Sequence, residues 1–214
     1  MFFTEAALLL YIYVCGGGIV GNEKEVAGQG DSVSAIDKKK KIRGYVLEIL
    51  VYAALFVLCA LVIPNYVMQR AKVSGSSMEN TLFDGDNVLV DKISYQFHDP
   101  ERYDVVVFYP FEGEKEHYVK RVIGLPGETI QIIGSDIYID GTKINESYGK
   151  DPITYAGIAA EPITLGEDEF FLMGDNREES YDCRYADIGP VHKSAIDGKA
   201  VLRIWPLKSF GTFD

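Results

Sequence analysis

Histidine and cysteine are both scarce in this chain, three of each in 214 residues, and their placement excludes several chemistries. Cys15 and Cys59 lie in or beside apolar runs, and only Cys183 falls in the long C-terminal part. No disulfide framework and no cysteine-based metal site is indicated. His98, His117 and His192 show neither metal-ligand spacing nor a Ser/His/Asp constellation. Positive charge is short in one region: from Met68 onward there are 15 Lys and Arg against 26 Asp and Glu, whereas the first 67 residues carry six of each. An acidic domain repels phosphate backbones, which speaks against nucleic acid as a partner. Neither an internal repeat nor a heptad pattern is present.

Long uncharged runs are also few. Ile49 to Gln69 contains no charged residue, and its centre, Val51 to Ile63, is apolar on every face. A core helix usually keeps a polar stripe, so this stretch reads as a membrane-spanning helix. The basic cluster Lys38 to Arg43 precedes it and by the positive-inside rule stays in the cytoplasm, which puts everything after Pro64 outside. A shorter apolar stretch, Ala6 to Asn22, is interrupted by Gly16, Gly17 and Gly18 and lacks the basic start of a cleavable signal. It is a candidate first span or, alternatively, an N-terminal extension. The expected organisation is therefore a candidate first span at 1–22, a flexible cytoplasmic linker at 23–43, a transmembrane helix at 44–69 and an extracytoplasmic domain at 70–214.

In that domain the pattern changes to short runs rich in β-branched and aromatic residues. Asn87 to Ile93, Asp104 to Tyr109, Tyr118 to Ile123, Thr129 to Ile133, Ile137 to Ile139, Glu169 to Met173 and Ala200 to Trp205 read as strands. Leu125 to Glu128, with Pro and Gly at its central positions, suits a type II turn, and Asp140-Gly141 suits a hairpin to Thr142 to Ile144. The fold class is mostly β behind one or two transmembrane helices. Thr142 to Leu165 is irregular and stays open between a loop, a small subdomain and an inserted hairpin.

The chemistry concentrates in three blocks. The first is Ser74-Gly75-Ser76-Ser77-Met78-Glu79-Asn80-Thr81-Leu82, the second Tyr118-Val119-Lys120-Arg121, and the third Gly174-Asp175-Asn176-Arg177 running to Ser180, Asp182, Cys183 and Arg184. A serine hydroxyl needs a base to become a nucleophile, and without a suitable histidine a lysine held neutral is the candidate. A free lysine has a pKa of about 10.4, so that base must be desolvated or placed near positive charge. Taken singly, each block also fits an ordinary loop, an exposed strand residue or a charged turn.

Together, in this order and behind a membrane span, the blocks resemble a bacterial type I signal peptidase, a membrane-bound serine protease that removes signal peptides from exported proteins. The resemblance runs from the span to about Leu207 and is most specific at Lys120-Arg121 leading into Gly124-Leu125-Pro126-Gly127-Glu128. It implies Ser77 as nucleophile, Lys120 as general base and the Ser77 backbone N–H as oxyanion donor. It further implies Ser180 as a hydrogen-bond partner of the lysine amine, with Asp182, Arg184, Asp175 and Arg121 in support. No cofactor and no metal is implied. The implied partners are the membrane and exported preproteins with small residues before the cut, and the implied location is the cytoplasmic membrane with the catalytic domain outside.

Three departures stand out: Asn80 where the family usually has proline, Cys183 where serine is common, and Gly75 where some members carry a hydroxyl that would be a second oxyanion donor. Alternatives from other classes are an inactive membrane-anchored binding or assembly protein of the same fold, and a peptidase narrowed to one substrate class such as pilin-like subunits. A self-cleaving Ser/Lys regulator of the repressor type is disfavoured, because such a protein would carry a DNA-binding region in place of the span.

Overall fold

The computed structural model describes residues 30–62, 66–111, 113 and 116–213. Helix α1 spans Gly30–Val62. It therefore begins inside the segment expected to be a flexible linker and ends before the expected end of the span. Within α1, Lys41–Leu61 is 21 residues long and predominantly apolar, and none of it is buried. At about 1.5 Å rise per residue such a helix is about as long as the hydrocarbon core of a bilayer is thick. It is the one helix among the described residues with the length and composition to cross a membrane. The candidate first span at 1–22 lies outside the described residues.

From Met68 onward the described residues form antiparallel β structure with short 3₁₀ turns. In chain order the strands are β1 (Met68–Lys72), β2 (Asn87–Asp91), β3 (Val105–Phe108), β4 (Tyr118–Gly124), β5 (Thr129–Ile133), β6 (Asp136–Ile139), β7 (Thr142–Lys143), β8 (Ile163–Thr164), β9 (Glu169–Met173), β10 (Val191–His192) and β11 (Ile196–Trp205). Seven form one sheet in the order β1-β2-β11-β3-β4-β9-β10, and four form a second in the order β7-β6-β5-β8. The expected strands are all present. Met68 and Gln69, expected in the span, instead open β1, where Met68 to Lys72 pair with Asp91 to Asn87.

Local chemistry accounts for the turns. Gly127 adopts φ 78°, the left-handed value that the third position of a type II turn requires, and the Glu128 N–H donates to the Leu125 carbonyl at 3.2 Å. Asp140 and Gly141 take φ 50° and 74°, the pair of positive values of a type I′ hairpin, and connect β6 to β7. The segment left open, Thr142 to Leu165, contains β7, a single 3₁₀ turn at Gly157–Ala160 and β8.

Two apolar clusters form the core. The larger joins the two sheets through residues such as Val106, Val122, Ile130, Ile137, Phe171 and Leu172. The smaller holds Val73, Met78, Leu82, Val88, Val105 and Val107. Met78 and Leu82 are 1% and 0% exposed, so the first motif block is anchored in this second cluster on both sides of Glu79-Asn80-Thr81. Truncating either side chain to alanine would cost roughly 2–5 kcal/mol and release the turn that carries Ser77.

Candidate active site

Antiparallel register decides which way the second block points. On β4, Lys120 lies opposite Val106 of β3, and Arg121 lies opposite Val105. Side chains opposite one another share a face and neighbours alternate. Lys120 therefore falls on the side of Val106 and the larger cluster, and Arg121 on the side of Val105 and the smaller one. Both are buried, at 3% and 1% exposure.

Ser77 reaches Lys120 across the sheet edge, and Lys120 Nζ lies 2.7 Å from Ser77 Oγ. Burial pushes the amine down to about 8, against the opposing pull of Asp182. Both carboxylates that act on Lys120, Asp182 and Asp175, are already engaged. Arg121 grips Asp175 with two bonds, Nε to Oδ1 at 2.9 Å and Nη2 to Oδ2 at 2.8 Å. Arg184 likewise donates to Asp182 through Nε at 2.8 Å and Nη2 at 3.0 Å. Among the described residues no carboxylate forms an ion pair with Lys120. Desolvation therefore outweighs attraction, and the neutral amine is favoured.

The third block holds the serine from behind. The Asn176 N–H donates to the Ser77 carbonyl at 3.1 Å, and Asn176 Nδ2 donates to the Ser76 carbonyl at 3.1 Å. Gly174 makes this approach feasible: a Cβ there would sit 2.4 Å from the Ser77 carbonyl oxygen and 2.2 Å from Ser180 Oγ. The Ser77 N–H donates to no protein acceptor among the described residues, which leaves it available to an oxyanion.

Among the described residues the Ser180 side chain bonds to Asp182 and Gly174. Its hydroxyl donates to Asp182 Oδ2 at 2.6 Å and accepts the Gly174 N–H at 3.1 Å. Its proton thus goes to the loop carboxylate. Asp182 also accepts the Gly174 N–H at 3.0 Å, so Ser180, Asp182 and Arg184 act as one buried unit. Cys183 is fully buried, accepts the Leu172 N–H on Sγ at 3.1 Å, and has its thiol pushed up by burial. It is a packed, inert thiol.

Thr81 and Asn176 belong to the motif blocks but carried no expected role. Thr81 Oγ1 donates to Asp175 at 2.5 Å and accepts from Arg121 Nη2 at 3.1 Å, completing the anchor beneath the serine. Nothing in residue type alone marks these two; their signal is position inside the blocks. Gly75, where a second oxyanion hydroxyl was lacking, donates its N–H to Asp84 at 3.0 Å. The neighbouring Ser76 hydroxyl is held by Glu179 at 2.7 Å.

Ser77 and Lys120 open onto a groove of about 560 Å³, walled on one side by Val73 to Met78 and on the other by Glu116 to Lys120. Along Tyr118 to Lys120, β4 is paired with β3 only, because its pairing with β9 begins at Arg121. Among the described residues no second strand pairs with that edge, and Tyr118 to Lys120 line the groove.

A family model described as signal peptidase, peptidase S26, matches residues 45–205. A signal peptidase I of Leptolyngbya laminosa is 39% identical over 164 residues, covering 73% of this chain and 78% of that protein. A probable signal peptidase I-2 of Synechocystis is 34% identical over 160 residues, covering 72% of this chain and 71% of that protein. The crystal structure of a signal peptidase I from Enterococcus faecalis aligns over 49% of this chain and 98% of that one, at 28% identity and a TM-score of 0.39.

Proposed function

The chain belongs to the signal peptidase family, peptidase S26, and from that premise we propose that it removes signal peptides from exported preproteins at the outer face of the cytoplasmic membrane, with Ser77 as nucleophile and neutral Lys120 as general base. The observation that carries this reading is the 2.7 Å contact between a serine hydroxyl and a buried lysine that forms no ion pair among the described residues. With its pKa near 8, roughly a tenth of Lys120 is neutral at pH 7, against one in a few thousand for a free lysine.

Ser77 Oγ attacks the scissile carbonyl while its proton passes to Lys120 Nζ. Negative charge gathers on the former carbonyl oxygen, where the Ser77 N–H can meet it. Collapse breaks the C–N bond, and the ammonium gives its proton to the departing amine, the new N-terminus of the mature protein. The signal peptide remains as an ester on Ser77. Lys120, neutral again, takes a proton from water, and the resulting hydroxide cleaves the ester and restores the serine hydroxyl.

The substrate enters as an extended segment added to the open edge at Tyr118 to Lys120, which supplies affinity through main-chain bonds. Small side chains before the cut fit a site that discriminates by excluding bulk. The helix Lys41–Leu61 is the anchor, and the cluster Lys38 to Arg43 keeps its N-terminal end cytoplasmic.

Detergent-solubilised protein incubated with a preprotein should yield one new N-terminus after a small residue, and Ser77→Ala should reduce cleavage to background with the fold intact. Ser76→Ala should keep substantial activity, because the Ser76 proton is committed to Glu179. Folded wild-type protein inert towards several preproteins would leave a binding or assembly protein as the better reading.

A further inference from the structure

Asn80, which stands where the resembled family usually has proline, adopts φ 105°. Proline is confined to φ near −65°, so the usual residue cannot occupy this backbone. Asparagine is among the few residues that tolerate left-handed geometry, at some cost. That conformation is held by a bond to another part of the chain: Asn80 Nδ2 donates to the Tyr148 carbonyl at 2.9 Å.

Tyr148 lies in the segment between β7 and β8 that the sequence left unassigned, and this segment is itself firmly placed. The Arg121 guanidinium lies 3.7 Å from the centre of the Tyr148 ring. The Lys150 N–H donates to the Asp175 carbonyl at 2.8 Å, and Glu146 pairs with Arg177 at 2.7 Å. Residues 146–150 thus form a strap that touches all three motif blocks. Lys150 also meets Glu79 at 2.9 Å, but that pair is well exposed and contributes little.

The turn after Ser77 closes through Glu79 N–H to Ser76 carbonyl at 3.0 Å and Leu82 N–H to Met78 carbonyl at 2.8 Å, with position 80 at its apex. We propose that Asn80 is a positioning residue: by holding the Tyr148 carbonyl it fixes the left-handed apex of the nucleophile turn, and through that turn keeps Ser77 Oγ in register with Lys120. Proline would stiffen such a turn by restricting its own φ. Here a side-chain bond to the strap does the same work at a φ that proline cannot reach. This inference rests on the Ser77–Lys120 reading of the site.

The test compares preprotein cleavage by wild type, Ser77→Ala, Asn80→Gly, Asn80→Asp and Asn80→Pro. Glycine accepts the backbone conformation without strain, and aspartate keeps the shape and the left-handed tolerance; neither can donate to the Tyr148 carbonyl. Both should lower kcat about tenfold to a hundredfold, the scale of a misplaced reacting atom. KM should stay within about twofold, and the inflection of kcat/KM near pH 8 should not move, because the burial of Lys120 is untouched. Asn80→Pro should lose at least as much as Asn80→Gly. Wild-type kcat in Asn80→Gly, Asn80→Asp or Asn80→Pro would overturn the positioning role. So would a loss accompanied by an inflection moving up towards that of free lysine, which would mean that the whole site had loosened. If wild type cleaves, Ser77→Ala does not, and the Asn80 variants match wild type, only the positioning role fails. If Ser77→Ala cleaves like wild type, the reading of the site fails and takes this inference with it.

Discussion

Lys120 and Arg121 are adjacent on β4, equally buried and of the same formal charge, yet the fold treats them in opposite ways. Arg121 is given a bidentate carboxylate at 2.8–2.9 Å, a backbone carbonyl of Tyr103 at 2.8 Å and a hydroxyl of Thr81 at 3.1 Å. Lys120 is given one serine hydroxyl and, among the described residues, no carboxylate. The alternation of a strand makes this division feasible, since one-residue spacing sends the two side chains to opposite faces. A buried cation is structural when its counter-ion is supplied and becomes a candidate base when the counter-ion is withheld. Arg121 and Arg184 pair with Asp175 and Asp182, so neither carboxylate forms an ion pair with Lys120 among the described residues.

The sharpest way to break the contrast is to make both positions arginine. Lys120→Arg should abolish preprotein cleavage, because a guanidinium cannot be neutral near physiological pH and cannot take the Ser77 proton. Measurable turnover near the wild-type rate would erase the distinction between the two residues.

Removing the counter-ion from the other side comes next. Asp175→Asn leaves Arg121 charged and buried without its partner and should destabilise the domain by about 3–5 kcal/mol in chemical denaturation. A loss of well under 1 kcal/mol would mean that Arg121 finds solvent or another acceptor.

A smaller effect, of opposite sign, is expected for Lys120→Met. The folded pKa of Lys120 lies near 8, below the unfolded value of about 10.4. The unfolded chain therefore binds more protons between these two values, and stability rises with pH across that window. Below pH 8 the full cost of burying the charge applies, about 3 kcal/mol at most from the size of the shift. Lys120→Met should stabilise the domain by up to that amount at pH 6 and by progressively less as pH rises through the window, to nothing above it. Destabilisation at pH 6 in denaturant titrations would show that the lysine is structurally satisfied like its neighbour.

The same contrast marks where sequence reasoning reached and where it stopped. β5 and β9 have the limits expected of them, because apolar and β-branched residues there are bounded by turn residues that leave little choice. The Asp140-Gly141 hairpin was legible for the same reason. β1 was not: Met68-Gln69-Arg70-Ala71-Lys72 has no apolar alternation, and its strand character comes from pairing with β2. The identities of Ser77 and Lys120 were legible as motifs, but the face on which Lys120 points depends on register with β3, and its burial depends on packing from distant segments. Ser180 shows the limit clearly, since residue type cannot say which acceptor takes a hydroxyl proton, and here it goes to Asp182. The role of Asn80 also lay beyond the sequence, because its partner is a carbonyl in the irregular stretch before β8.

Direct titration of Lys120 tests the central claim. With lysines labelled at the ε-carbon and the Lys120 resonance assigned through Lys120→Met, the NMR shift followed against pH should give a midpoint near 8, well separated from the remaining lysines. A midpoint at or above that of a free lysine would mean that the amine is charged throughout the working range, and Lys120 could not be the base for Ser77.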